Sequence, residues 1–288
     1  SLAANTTAND NTALGHVALT LNTSGANNTG IGKGALSANT TASNNTAVGY
    51  HGLDPNTVGS NNTAVGALAL DANTTASNIT AVGYGSLSGN TTGANNTAVG
   101  AASLNTNTTG ADNTAVGLNA AQVNTTGYHL VAIGRNALAG NTTGYQNVAI
   151  GRACMEANTT GNNNTAIGQH ALLTNTTGDQ NVAVGSNALV NNTTGNDSVA
   201  IGFNALGANT TNGFKVAIGP HCAELDTAAG ATVAIGNNCL KTNVSGVNNT
   251  GVGAQALMLN TGSNNTGVGL NALRNNSSAS NNTAVGNT

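Results

Sequence analysis

The residues "DNTAVGLNAAQVNTTG" at 112–127 return along the whole chain with small changes. "NNTAVGALALDANTT" begins at Asn61, "NNTAIGQHALLTNTT" at Asn163 and "NNTGVGAQALMLNTG" at Asn248. The glycine that closes each "AVG" or "AIG" sets the period. From Gly15 to Gly253 these glycines follow one another at 17 residues; Gly269 comes after 16 and Gly286 after 17. A closed globular core needs a different residue at each position. A stack of equal layers needs the same residue in every layer, so this regularity points to a solenoid.

Helix is disfavoured, because a fixed Gly and the "NTTG" and "NNT" runs leave no uninterrupted helical span in a 17-residue unit. A strand with turns fits. Three residues before the glycine stands Thr or Val, two before it Ala or Gly, and one before it Val, Ile or Leu, the alternation of a β-strand. The β-branched column, with Val48, Val65, Val82, Val99, Ile133, Ile150 and Ile167, is expected to fill the coil. The small column, with Ala47, Ala64, Ala81, Ala98, Ala115, Ala132, Ala149 and Ala166, then faces the other way. It never drifts to larger polar residues, which predicts close contact with a second copy of the chain. Four residues after the glycine comes a plug, Leu in most copies, on a second strand or bend. Asn, Thr and Gly make the corners, and stacked Asn can form amide ladders. At about 4.8 Å per layer, seventeen layers span roughly 80 Å.

Composition narrows the function classes. Charged residues are 5% of the chain against about 25% in ordinary domains. Low charge and low complexity alone would argue for disorder, but the Val/Ile column holds in every copy. A net charge of −3, thinly spread, gives no footprint for nucleic acid or an anionic membrane. No apolar run approaches the roughly 20 residues of a membrane helix. The chain has neither an initiator Met nor polar caps, so residues 1–288 read as one repeat solenoid taken from a longer fibre, uncapped at both ends.

The unit "NTAVGxNALxxNTTGxx" resembles the repeats of phage and bacterial tail-fibre proteins. The core "VAIGRNAL" at 131–138 is also similar to the head repeats of trimeric autotransporter adhesins, which have a shorter period. The resemblance covers Asn5 to Gly286. It implies an all-β, parallel β-solenoid or β-roll of about 17 coils, a homotrimeric fibre, and a place on a virion or cell surface. A receptor or glycan would be met through parts outside this segment.

No catalytic constellation is visible, and the chain reads as a non-enzyme without cofactor or metal. "GIGKGA" at 30–35 imitates a phosphate loop but lacks its Gly-Lys-Ser/Thr ending. Cys154, Cys222 and Cys239 share the column three after the glycine and read as buried free thiols. His51, His170 and His221 share a column but lie at least three layers apart, too far for one metal. Asp10, Asp112, Asp179, Asp197, Asp226, Glu156 and Glu224 are scattered. The variable column after the glycine supplies candidate surface contacts: Tyr50, Tyr84, Arg135 and Arg152. Tyr128 and Tyr145 form an aromatic pair on adjacent layers. Asn90, Asn107, Asn124 and Asn141 are N-glycosylation sequons, in one column where sugars about 5 Å apart would crowd.

The leading expectation is a structural shaft of a phage tail fibre or bacterial surface adhesin. Its rivals are a self-assembling extracellular filament or sheath, an ice-binding solenoid with its "NTT" threonines outward, and a glycan-binding shaft using Tyr128 and Tyr145.

Overall fold

The computed structural model describes residues 1–287. The chain is an all-β parallel β-solenoid in which seventeen short strands bound about sixteen coils at 17-residue spacing. No helix occurs among the described residues. The chain divides into two compact units, Ser1–Tyr145 and Gln146–Thr288.

The first unit holds β1 (Thr12–Leu14), β2 (Thr29–Ile31), β3 (Thr46–Val48), β4 (Thr63–Val65), β5 (Thr80–Val82), β6 (Thr97–Val99), β7 (Thr114–Val116) and β8 (Val131–Ile133). Each pairs with the next in parallel and in register, as Ala64 with Ala81 and Ala81 with Ala98. The second unit holds β9 (Val148–Ile150), β10 (Thr165–Ile167), β11 (Val182–Val184), β12 (Val199–Ile201), β13 (Lys215–Ile218), β14 (Thr232–Ile235), β15 (Asn249–Val252), β16 (Thr266–Val268) and β17 (Thr283–Val285), paired in the same way. The one-residue deletion is absorbed in a turn. Asn260 donates to the carbonyl of Gly262, two residues on rather than three, and Thr250 still pairs with Thr266.

Each coil has one strand and no second. The stretch after the glycine is a series of turns, with left-handed backbone at the second, fourth and twelfth residues, as at Ala102, Leu104 and Asp112. The anchor glycine is fixed by backbone and by space. Gly100 has φ +134°, and a Cβ there would lie 2.5 Å from the carbonyl oxygen of Gly117. No L-residue satisfies both conditions, which is why this column never changes.

The core inverts the expectation from sequence. The Ala column lies inside: Ala47, Ala64, Ala81, Ala98, Ala132, Ala149 and Ala166 are fully buried in the single chain, and Ala115 nearly so. The Val/Ile column points outward. Val65 and Val99 are 36% exposed, Ile133 38% and Ile167 40%, while Val48, Val82 and Ile150 are half-buried. Thr or Val three before the glycine shares that outer face. The reason is the width of the coil. At Gly30, in the Ala column, an added Cβ would already stand 3.1 Å from the Ala35 carbonyl oxygen and 3.3 Å from Leu19 Cγ. The inner side of the strand has room for a methyl group and no more, because the leucine plug of the preceding coil fills the rest. Leu36, Leu53, Leu70, Leu87 and Leu104 are fully buried and form that plug. The Ala column is therefore not available for contact between chains.

Candidate functional site

Two Asn columns share the interior with the Leu plug. The first, seven residues after the glycine, builds an amide ladder that is unbroken within the first unit. Asn107 Nδ2 donates to Asn90 Oδ1 at 2.8 Å and to the Gly110 carbonyl at 2.8 Å. Asn124 Nδ2 donates to Asn107 Oδ1 at 2.7 Å, and Asn141 Nδ2 to Asn124 Oδ1 at 2.8 Å. Each side chain thus closes its own turn and bonds the coil before it. The second column, just ahead of the strand, reaches forward. Asn113 Nδ2 donates to the Gly127 carbonyl of the next coil at 2.9 Å, and its backbone N–H donates to Asn96 Oδ1 at 2.9 Å. Threonines add a third link. Thr108 Oγ1 donates to the Thr125 carbonyl, and Thr125 Oγ1 to the Thr142 carbonyl. In these regular coils polar groups that would be costly to bury are turned into bonds within a turn and between coils.

The sequon residues lie inside. Asn90, Asn107 and Asn124 are fully buried and bond the coils on either side, and Asn141 is fully buried and bonds Asn124 and Gly144. The sequence signal that separates the two roles is the glycine or alanine three residues later, whose carbonyl receives the Asn side chain.

The candidate surface contacts are outside. Tyr50 is 50% exposed and Tyr84 64%, and Arg135 and Arg152 are exposed. Lys33, in the loop that imitates a phosphate site, is exposed with its Nζ 5.6 Å from the centre of the Tyr50 ring. Tyr128 and Tyr145 stack with centroids 5.0 Å apart and ring planes 2° from parallel. Each covers one face of the other, and Tyr128 is 40% exposed.

The titratable side chains form small local groups. Ser37 Oγ donates to Asp54 Oδ1, and His51 Nδ1 meets Asp54 Oδ2. The carboxylate stands between hydroxyl and imidazole, so the ring does not activate the serine. Burial pushes the neighbouring Asp71 carboxyl above its usual value, and the charge of Asp54 adds to this. In the second unit His221 Nδ1 lies 3.1 Å from Glu224, Lys241 Nζ lies 3.4 Å from the same carboxylate, and Asn204 Nδ2 donates to it at 3.2 Å. This group borders an open hollow lined by Val190, Asn191, Gly207, Ala208 and Leu225. Among the described residues no three His, Cys, Asp or Glu come together as a metal site. The cysteines are free and buried. Burial raises the Cys154 thiol to about 12, and Cys222 is raised by its hydrogen bond to Cys239 and then by burial.

One pair was not singled out by sequence. Lys215 and Asp226 are both fully buried and form an ion pair at 2.8 Å. Lys215 stands in the second Asn column and Asp226, one coil on, in the first. The signal was present: two exceptions of opposite charge in the two amide columns of adjacent coils.

The fold and its internal ladders define the class as a parallel β-solenoid. No protein-family model and no curated protein matches the chain.

Proposed function

We propose that the chain is structural, the shaft segment of an extracellular fibre such as a phage tail fibre or a bacterial surface adhesin, holding a binding tip away from its base. The observation that carries this reading is the uniform use of side chains for stacking. Asn, Thr, Leu and Ala repeat their roles in coil after coil, and each bonds or packs against the next. Polar ladders buried in this way resist local opening, since every rung broken leaves orphaned donors and acceptors. Copies would associate through the outward Val/Ile and Thr/Val columns, which carry no charge from β1 to β12. The native mass in solution tests this. Light scattering should give three times 27.9 kDa. A single-chain mass would remove the homotrimer, and long polydisperse particles would support a filament or sheath subunit.

A second reading rests on a specific feature of the same face. On β3 to β7 the outward pairs are Thr46/Val48, Thr63/Val65, Thr80/Val82, Thr97/Val99 and Thr114/Val116. This is a two-dimensional array with spacings of about 4.8 Å across strands and roughly 6.6 Å along them. Such an array suits a periodic partner such as ice. It stands beside the "NTT" column, in which the first threonine turns its hydroxyl to a carbonyl, as Thr108 does, and the second is exposed, as Thr109 is. Thermal hysteresis of the monomer, lost in Thr80→Lys, would favour it; its absence would end it.

A further inference from the structure

In the regular coils every interface between layers is chemically the same. Asn meets Asn, Leu meets Leu, and Thr meets a Thr carbonyl. A coil could stack on the wrong neighbour and make nearly the full set of bonds, with the skipped coil looped out. The chain does little to prevent this. Loop-closure cost rises slowly with length, and repeat arrays can nucleate at several places and join. Uniform layers therefore leave register poorly specified.

Within the second unit one interface carries a buried charge of each sign. The first amide ladder runs from Asn209 to Asn192 and from Asn192 to Asn175. It stops at Asp226, whose side chain has no N–H to give. Asn209 Oδ1 is left buried without a partner, as are Asp226 Oδ2 and Thr232 Oγ1. The donor comes instead from the other column. Lys215 Nζ reaches Asp226 Oδ1 at 2.8 Å and the Ala228 carbonyl at 2.8 Å. Asparagine at both positions would restore the ladder bonds made elsewhere. The charged pair is thus a poor way to strengthen the stack.

We propose that the Lys215–Asp226 pair is a register key. It makes one pair of coils unable to stack on any others. In a shifted stack Lys215 would face an Asn rung and Asp226 another, and each would be a buried charge with no opposite partner. Only the native register brings the two together. The interface gives up bonding in its own layer to exclude the near-native alternatives that identical coils permit.

The test uses the full chain unfolded in denaturant and refolded by dilution. Hydrogen exchange is read by mass spectrometry on the wild type and on the double variant Lys215→Asn, Asp226→Asn. In peptides covering the coils between Val199 and Val252, the wild type should refold to a single exchange envelope. The double variant should be at least as stable, yet refold to two envelopes, with a several-fold larger fraction carrying a block of about one coil of unprotected amides. The single variants Lys215→Asn and Asp226→Asn should each be less stable than the double, since each strands one charge. A double variant that refolds to one envelope matching the wild type overturns the proposal. So does a double variant less stable than the singles, or one that fails to fold, because the pair would then be a source of stability.

Discussion

The coils between Thr46 and Val116 in the first unit and those between Val199 and Val252 in the second obey the same period with different interiors. In the former, strands are three residues long, and Asn stands before the strand in every coil but that of Ile79. In the latter, Ser198, Lys215 and Thr232 replace that Asn in succession, and the strands β13 to β15 lengthen to four residues. A regular Asn accepts the N–H of the next coil at this level with its side chain, as Asn96 Oδ1 does from Asn113. In β13 to β15 the backbones pair there instead, Lys215 with Thr232 and Thr232 with Asn249. Side-chain amides and backbone ladders are thus interchangeable ways of satisfying the same N–H groups. At this level Thr232 Oγ1 is buried without a partner.

The largest effect that can break this comparison lies at the ion pair. Asp226→Asn or Lys215→Asn alone should cost about 3–5 kcal/mol in denaturant unfolding, because one charge stays buried unpaired. The double variant should recover all of that. Next is the inverted strand. Ala64→Leu should cost up to about 3 kcal/mol by overpacking. Val65→Lys should change monomer stability by less than about 0.5 kcal/mol. If copies pack on the outer face, Val65→Lys should instead lower the native mass seen by light scattering. Asn107→Ala in the regular region should cost about 2 kcal/mol, since it leaves Asn90 Oδ1 without its donor and Asn124 Nδ2 without one of its acceptors. Thermal melts would check whether the loss matches that of Asn243→Ala, where the ladder is already interrupted; the regular site should lose more.

The smallest effect concerns pH. Asp71 has its carboxyl raised in the fold, first by burial, so the native state favours the protonated acid. Its contribution is fully present below the unfolded value of 3.8 and is lost as pH rises through the raised native value. Asp71→Asn should therefore be slightly more stable than wild type at neutral pH and equal to it in acid. A variant less stable at neutral pH would contradict the assignment.

Much of this protein was written in its sequence. The spacing of Gly15, Gly32 and their successors determined a stack, and alternation ahead of each glycine placed the strand. The Leu plug and the buried thiols were equally legible. Alternation could not say which side was inside, because period two is symmetric between faces. Size settles it, and only once the width of the coil is known: Leu19 and the Ala35 carbonyl leave room for a methyl, so Ala turns in and Val turns out. The sequons were ambiguous for a similar reason, since Asn-Thr-Thr reads the same whether the amide faces water or its copy in the next coil. Lys215 and Asp226 lie 11 positions apart in the chain and looked unrelated. Stacking brought them to 2.8 Å. The sequence alone determined the period and the local elements, because these follow from each residue and its near neighbours. The tertiary structure alone decided inside from outside, and partner from bystander, because both depend on what the next coil places across a narrow interior.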